Sequence, residues 1–116
     1  MEIDADGLMK QTITLAFTPN QLPQGLDASD HCAVVIDVLR ATTVMTTAGQ
    51  SGARRMLTCQ SIEQAKQLAD ALTPRPLLCG ERKCKPIEGF DLGNSPAEYA
   101  TTRVVGRDLI LTTTNG

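Results

Sequence analysis

Aromatic residues are nearly missing from these 116 residues, which hold two Phe, one Tyr and no Trp. That leaves no platform for stacking nucleic-acid bases and no Ig-type core built around a buried Trp. Neither sign of charge dominates. Lys and Arg number 11 against 13 Asp and Glu, so the basic footprint of a nucleic-acid binder is missing too. No apolar run approaches the ~20 residues of a membrane span. The first residues, MEIDADGLMKQ, lack the apolar stretch of a signal peptide. The expectation is a cytoplasmic protein that partners neither nucleic acid nor membrane.

Histidine is almost absent as well, with a single copy at His31, and no two of the four cysteines form a C-x-x-C pair. A zinc site is therefore disfavoured. Cys32, Cys59 and Cys79 lie in or beside apolar runs, where a reduced thiol acts as a small hydrophobe. A weaker alternative is a thiol sensor built from Cys79 and Cys84. Neither G-x-x-x-x-G-K-[ST] nor G-x-G-x-x-G occurs, which disfavours a standard nucleotide fold.

What is present is ordinary globular composition, 41% apolar and 21% charged, at a length that suits one domain over residues 1–116. Residues 1–11 are polar and expected to be loose. Residues 12–17, TITLAF, alternate with period 2 and read as a half-buried strand. The polar stretch 20–31 reads as a loop. The stretch that organises the rest is AVVIDVLRATT, residues 33–43. Its β-branched run predicts a buried strand over 33–38, followed by a helix over 42–49 that Gly49 and Gly52 stop. Further strands are predicted at 55–59, 77–79 and 109–111. Ser61 and Gln64 form a capping box, behind which Ile62, Ala65, Leu68, Ala69 and Leu72 share one helical face. Ser95 and Glu98 form a second, with Pro96 at the first helical position. Residues 80–94 between them make a long irregular loop. Strands alternating with helices predict an α/β fold, layered α/β/α, around a largely parallel or mixed sheet.

Three polar clusters follow three of these apolar runs. Asp37, Arg40, Thr42 and Thr43 follow the first, Glu81 and Arg82 the second, and Thr112, Thr113, Thr114 and Asn115 the third. Parallel strands would deliver all three to the carboxyl edge of one sheet, where α/β proteins bind ligands. Carboxylates, guanidinium groups and hydroxyls together suit a small anion with a hard divalent metal. Each cluster also has a plainer reading. Asp37 suits a helix cap, Arg40 and the Glu81-Arg82 pair suit surface ion pairs, and the threonines suit strand propensity. The residues alone reach an anion site and no reaction.

At these same positions the chain resembles the 2-phosphosulfolactate phosphatase family. The matching stretches are VVIDVLRATT at 34–43, GER at 80–82, GFDLGNSPAEY at 89–99 and LTTTNG at 111–116. The resemblance implies a Mg²⁺-dependent hydrolase that removes phosphate from 2-phospho-3-sulfolactate to give 3-sulfolactate, a step of the kind found in coenzyme M biosynthesis. It further implies Asp37, Glu81 and Asp91 as metal ligands, with one of them acting as nucleophile or base. Arg40 and Arg82 would hold the phosphate, and Thr42, Thr43, Asn94, Thr113 and Asn115 would bind substrate. Two departures are visible. Lys83, Cys84 and Lys85 stand where the family often has small residues, and family members are longer, so the chain reads as the N-terminal part of a larger enzyme. The alternative is a non-catalytic anion-binding or regulatory domain. A shortened domain would also expose apolar surface, so a homo-oligomer is a further expectation.

Overall fold

The first secure element starts where Ser61 caps it. In this computed structural model, which describes residues 6–7 and 12–114, the Ser61 hydroxyl accepts the Gln64 amide at 3.0 Å and opens a helix over Ile62–Ala71. Gln64 reaches back one residue further than expected, accepting the Gln60 amide at 3.1 Å. Ala65 and Ala69 are buried on the inner face of this helix, where their small side chains let it lie close to the sheet.

We label the elements in chain order: α1 Ala41–Gln50, β1 Arg55–Thr58, α2 Ile62–Ala71, β2 Leu77–Arg82, β3 Lys85–Pro86, α3 Thr101–Val104 and β4 Asp108–Thr112. The four-stranded sheet has the order β1-β4-β2-β3. β4 runs parallel to both β1 and β2, and β3 is antiparallel to β2. Side chains of successive strand residues point to opposite faces, and the core divides accordingly. Leu109, Leu111 and Cys79 pack with Val44, Ala48, Tyr99 and Val104 on the α1 side. Ile110 and Leu78 pack with Cys59, Ala65 and Ala69 on the α2 side. The α/β fold and its mixed, mostly parallel sheet are as expected.

The chain divides into two compact units, residues 1–34 and 35–116. The helices and strands named above all belong to the second. In the first, the described residues form two 3₁₀ turns, Pro19–Gln21 and Ala28–Asp30. The looseness expected of residues 1–11 falls largely outside the described residues.

Two predicted strands do not form. Among the described residues, 12–17 and 33–38 pair with no neighbour, and Val34, Val35 and Ile36 are 77%, 76% and 75% exposed. β propensity measures fit to an existing sheet and supplies no partner edge of its own. The run at 33–38 also spans the boundary between the two units. At its end the chain turns instead of extending. The Thr42 hydroxyl donates to the Asp37 carbonyl and the Thr43 hydroxyl to the Val38 carbonyl, each at 2.6 Å, folding residues 37–40 back onto the start of α1.

The predicted helix from Pro96 is also different. A 3₁₀ turn over Pro96–Glu98 precedes the short α3, and Ser95 makes no side-chain cap. Glu98 reaches past Ser95 and accepts the Gly93 amide at 2.8 Å, so the Ser-x-x-Glu pattern holds a loop and not a helix start.

Candidate active site

Because β1, β2 and β4 are parallel, their carboxyl ends meet at one edge of the sheet. Gly80 makes this possible within β2. Its φ is +133°, and a Cβ there would fall on the Thr112 carbonyl oxygen of β4. Only glycine allows the two strands to approach so closely.

The next residue, Glu81, is 8% exposed. Its carboxylate accepts the Thr114 amide at 2.7 Å on one oxygen. On the other it accepts the Cys84 amide at 2.7 Å and the Thr114 hydroxyl at 3.1 Å. Burial pushes the Glu81 carboxyl up, but the hydrogen bonds from Thr114 and Cys84 and the charge of Arg82 outweigh it, and its pKa lies below the usual value. Glu81 is thus held ionised. That suits a ligand to a cation or a fixed negative charge better than a base that must carry a proton near neutral pH.

Glu81 also shapes the turn beyond β2. Lys83 and Cys84 have φ of 51° and 60°, the two left-handed positions of a tight hairpin turn, and neither is glycine. The turn is fastened from both sides, by the Cys84 amide on Glu81 and by the Lys83 amide on the Thr114 hydroxyl at 2.8 Å. This hairpin places β3 beside the site, a feature absent from the sequence-based expectation of an irregular loop.

Arg82 ties the strand ends together. It donates to the Gln60 carbonyl beyond β1 at 3.1 Å, to its neighbour's carbonyl at Glu81 at 2.9 Å, and to the Thr112 hydroxyl on β4 at 2.6 Å. Its donors are engaged in the scaffold.

A cavity of about 180 Å³ opens at this edge. It is lined by Arg40, Glu81, Cys84, Lys85, Asn94 and Glu98, among others. Arg40 arrives from the turn clasped by Thr42 and Thr43, whose hydroxyls are spent on that turn. Asn94 arrives from a loop gripped on both sides of Gly93, by Glu98 on its amide and by the Tyr99 hydroxyl on its carbonyl at 2.7 Å. The Asn94 Oδ1 is buried and has no hydrogen-bond partner. A buried acceptor left unpaired is costly unless a ligand completes it.

The family model described as 2-phosphosulpholactate phosphatase matches residues 16–116. This chain belongs to that family. A protein of Caldanaerobacter subterraneus subsp. tengcongensis named "Probable 2-phosphosulfolactate phosphatase" is 46% identical over 91 residues, covering 78% of this chain and 38% of its own length. One of the same name from Clostridium acetobutylicum is 49% identical over 84 residues, covering 72% and 36%. Another, from a Synechococcus strain, is 44% identical over 104 residues, covering 86% and 41%. The chain therefore spans well under half the length of these relatives.

Of the site residues expected from the sequence, Arg40, Glu81 and Asn94 meet at the cavity. Asp37 is half-buried just before Arg40, and its carboxylate has no partner among the described residues. Asp91 is engaged elsewhere, accepting the Leu78 amide at 2.8 Å and pairing with Arg75 at 3.3 Å. Thr113 is buried with its hydroxyl unpaired, and Asn115 lies outside the described residues. Among the described residues no group of three or more His, Cys, Asp or Glu is placed to hold a metal. Glu98 and Lys85 are the site residues that sequence reasoning missed, and Thr114 was named there only as one of the threonine run. Period 2 was the available signal for Thr114, since it separates Thr113 from Thr112 and Thr114. The thiol sensor finds no support at Cys79, which is fully buried with burial pushing its thiol up to about 12.

Proposed function

We propose that this chain carries part of the active site of a Mg²⁺-dependent phosphatase that hydrolyses 2-phospho-3-sulfolactate to 3-sulfolactate and phosphate. The observation that carries the reading is the meeting of Arg40, Glu81 and Asn94 at one cavity. Its volume of about 180 Å³ is below the ~300–1,000 Å³ of pockets for drug-sized ligands and suits a three-carbon ester.

The donor set fits the metal. Glu81 and Glu98 supply carboxylate oxygens and Asn94 an unpaired amide oxygen, all hard donors, and Mg²⁺ needs only one or two carboxylates beside water and substrate oxygens. When bound, the ion would neutralise charge on the phosphoryl oxygens. Arg40 offers a planar fork for two of those oxygens and stabilises the charge that spreads over them as the P–O ester bond breaks. Water adds to phosphorus, the ester oxygen leaves with a proton, and 3-sulfolactate and inorganic phosphate are the products. We assign the proton of that water to the Asp37 carboxylate, which stands three residues before Arg40, half-buried and without a partner among the described residues. The four cysteines are free thiols, which suits a reducing compartment, and action in the cytoplasm is part of the proposal.

The test is phosphate release from 2-phospho-3-sulfolactate, with and without Mg²⁺, by this chain and by a longer protein that contains it. Arg40→Gln in the longer protein is expected to lower kcat by about 100-fold or more, the scale of losing one preorganised charge-stabilising donor. Unchanged turnover in that variant would remove the assignment. Tight binding of the ester with no turnover in either form would favour a non-catalytic binding domain.

A further inference from the structure

Two cations reach the cavity from different elements. Arg40 comes from the turn before α1 and Lys85 from β3. Neither side chain has a hydrogen-bond or ion-pair partner among the described residues. The acids beside them hold backbone amides, Glu81 those of Thr114 and Cys84 and Glu98 that of Gly93, and among the described residues neither pairs with Arg40 or Lys85. The Arg40 guanidinium suits the phosphate, through paired hydrogen bonds to two of its oxygens. Lys85 stands apart from it on a separate element, a hairpin fastened at both of its turn residues, and so can meet a different group of the same ligand.

We infer that Lys85 is a specificity-determining residue that reads a second acidic group, carboxylate or sulfonate, on the phosphate ester held at Arg40. The inference rests on the phosphatase reading and assigns one residue of this chain to an acidic group of the ester other than the phosphate. The chemistry of the two side chains divides the work. The guanidinium fork matches a phosphate through paired hydrogen bonds, whereas the ammonium is a point charge on a flexible stem and accepts any compact anion. The Lys85 side chain is exposed and has no partner among the described residues, so Lys85→Gln keeps the backbone pairing of β3 with β2.

The test is calorimetric titration of this chain with three phosphate esters: ethyl phosphate, phospholactate and 2-sulfoethyl phosphate. The unaltered chain should bind at least one two-headed ester more tightly than ethyl phosphate. Lys85→Gln should weaken that ester by about five- to tenfold and leave ethyl phosphate unchanged, and Lys85→Arg should restore most of the difference. Which two-headed ester responds identifies the group that Lys85 reads. Equal affinities of Lys85→Gln and the unaltered chain for both two-headed esters, or an equal loss on all three, would overturn the role of Lys85 alone. Failure of both the unaltered chain and a longer protein that contains it to bind any of the three would overturn the phosphatase reading along with it.

Discussion

Replacing Glu81 with Gln keeps the side chain's size and removes its charge, and the structure sets what that must cost. The carboxylate faces two backbone amides, those of Thr114 and Cys84, each at 2.7 Å, one on each oxygen. A Gln side chain has one acceptor oxygen. Whichever way its amide is turned, its NH₂ meets a backbone N–H, so one charge-assisted hydrogen bond is lost and one donor is stranded. Such a loss is worth about 2–4 kcal/mol, nearer the lower figure here because Cys84 and Thr114 are exposed enough for water to help. Against a total stability of ~5–15 kcal/mol this is large, and Tm should fall by roughly 8–15 °C. Urea and thermal unfolding followed by circular dichroism measure it. The pH dependence supplies the control. Because the Glu81 pKa is depressed in the folded state, its contribution is whole above the usual value of 4.5 and is lost as pH falls through the folded value. The gap between Glu81 and Glu81→Gln should therefore be full at pH 7 and close in acid. A variant within about 0.5 kcal/mol of the original at pH 7, or a gap unchanged by acid, would refute the reasoning.

Other outcomes rest on the same geometry. Gly80→Ala drives a methyl into the Thr112 carbonyl at a φ that other residues avoid. It should lower stability by about 4 kcal/mol or more, and near-normal unfolding in urea would contradict the close approach of β2 and β4. Hydrogen bonds from Arg54 pull the Asp108 carboxyl down, burial opposes them, and Arg55 adds to the pull, leaving it at about 2. Its contribution is present above 3.8 and lost as pH falls toward 2, so Asp108→Asn should flatten the stability profile over that window. An unchanged profile would show the pairs to be idle. Asp91→Asn should disturb the start of β2, through Leu78, while leaving oxyanion affinity at the cavity intact. A loss of affinity with stability preserved would return Asp91 to the site.

Much of the second unit is legible from residue pattern. The box at Ser61, the apolar face behind it and the runs at Leu77 and Leu109 each name their element, because capping and burial act locally. The run at Val34-Val35-Ile36 misleads because a strand needs a neighbour, and periodicity is silent about neighbours. The Lys83-Cys84 turn is hidden because its left-handed residues are not the Asn and Gly that announce such turns. Glu81 and Thr114 stabilise it, and they stand far apart in the chain. Glu98 is similar. It fits a capping box in sequence, and only the fold shows its carboxylate closing on Gly93. Arg40, Glu81 and Asn94 could be named beforehand, whereas Lys85 and Glu98 could not, since their place depends on that hairpin and that loop.

The central claim is that the carboxyl edge of β2 and β4 binds a small oxyanion through Arg40. Titrating the isotopically labelled chain with inorganic phosphate, monitored by amide NMR, tests it most directly. Shifts gathered at Arg40, Cys84, Lys85, Asn94 and Glu98, saturating with phosphate and abolished in Arg40→Gln, are the predicted result. Saturable shifts gathered at Arg54 and Arg55 on the opposite edge of the sheet, or none at any residue, would contradict it.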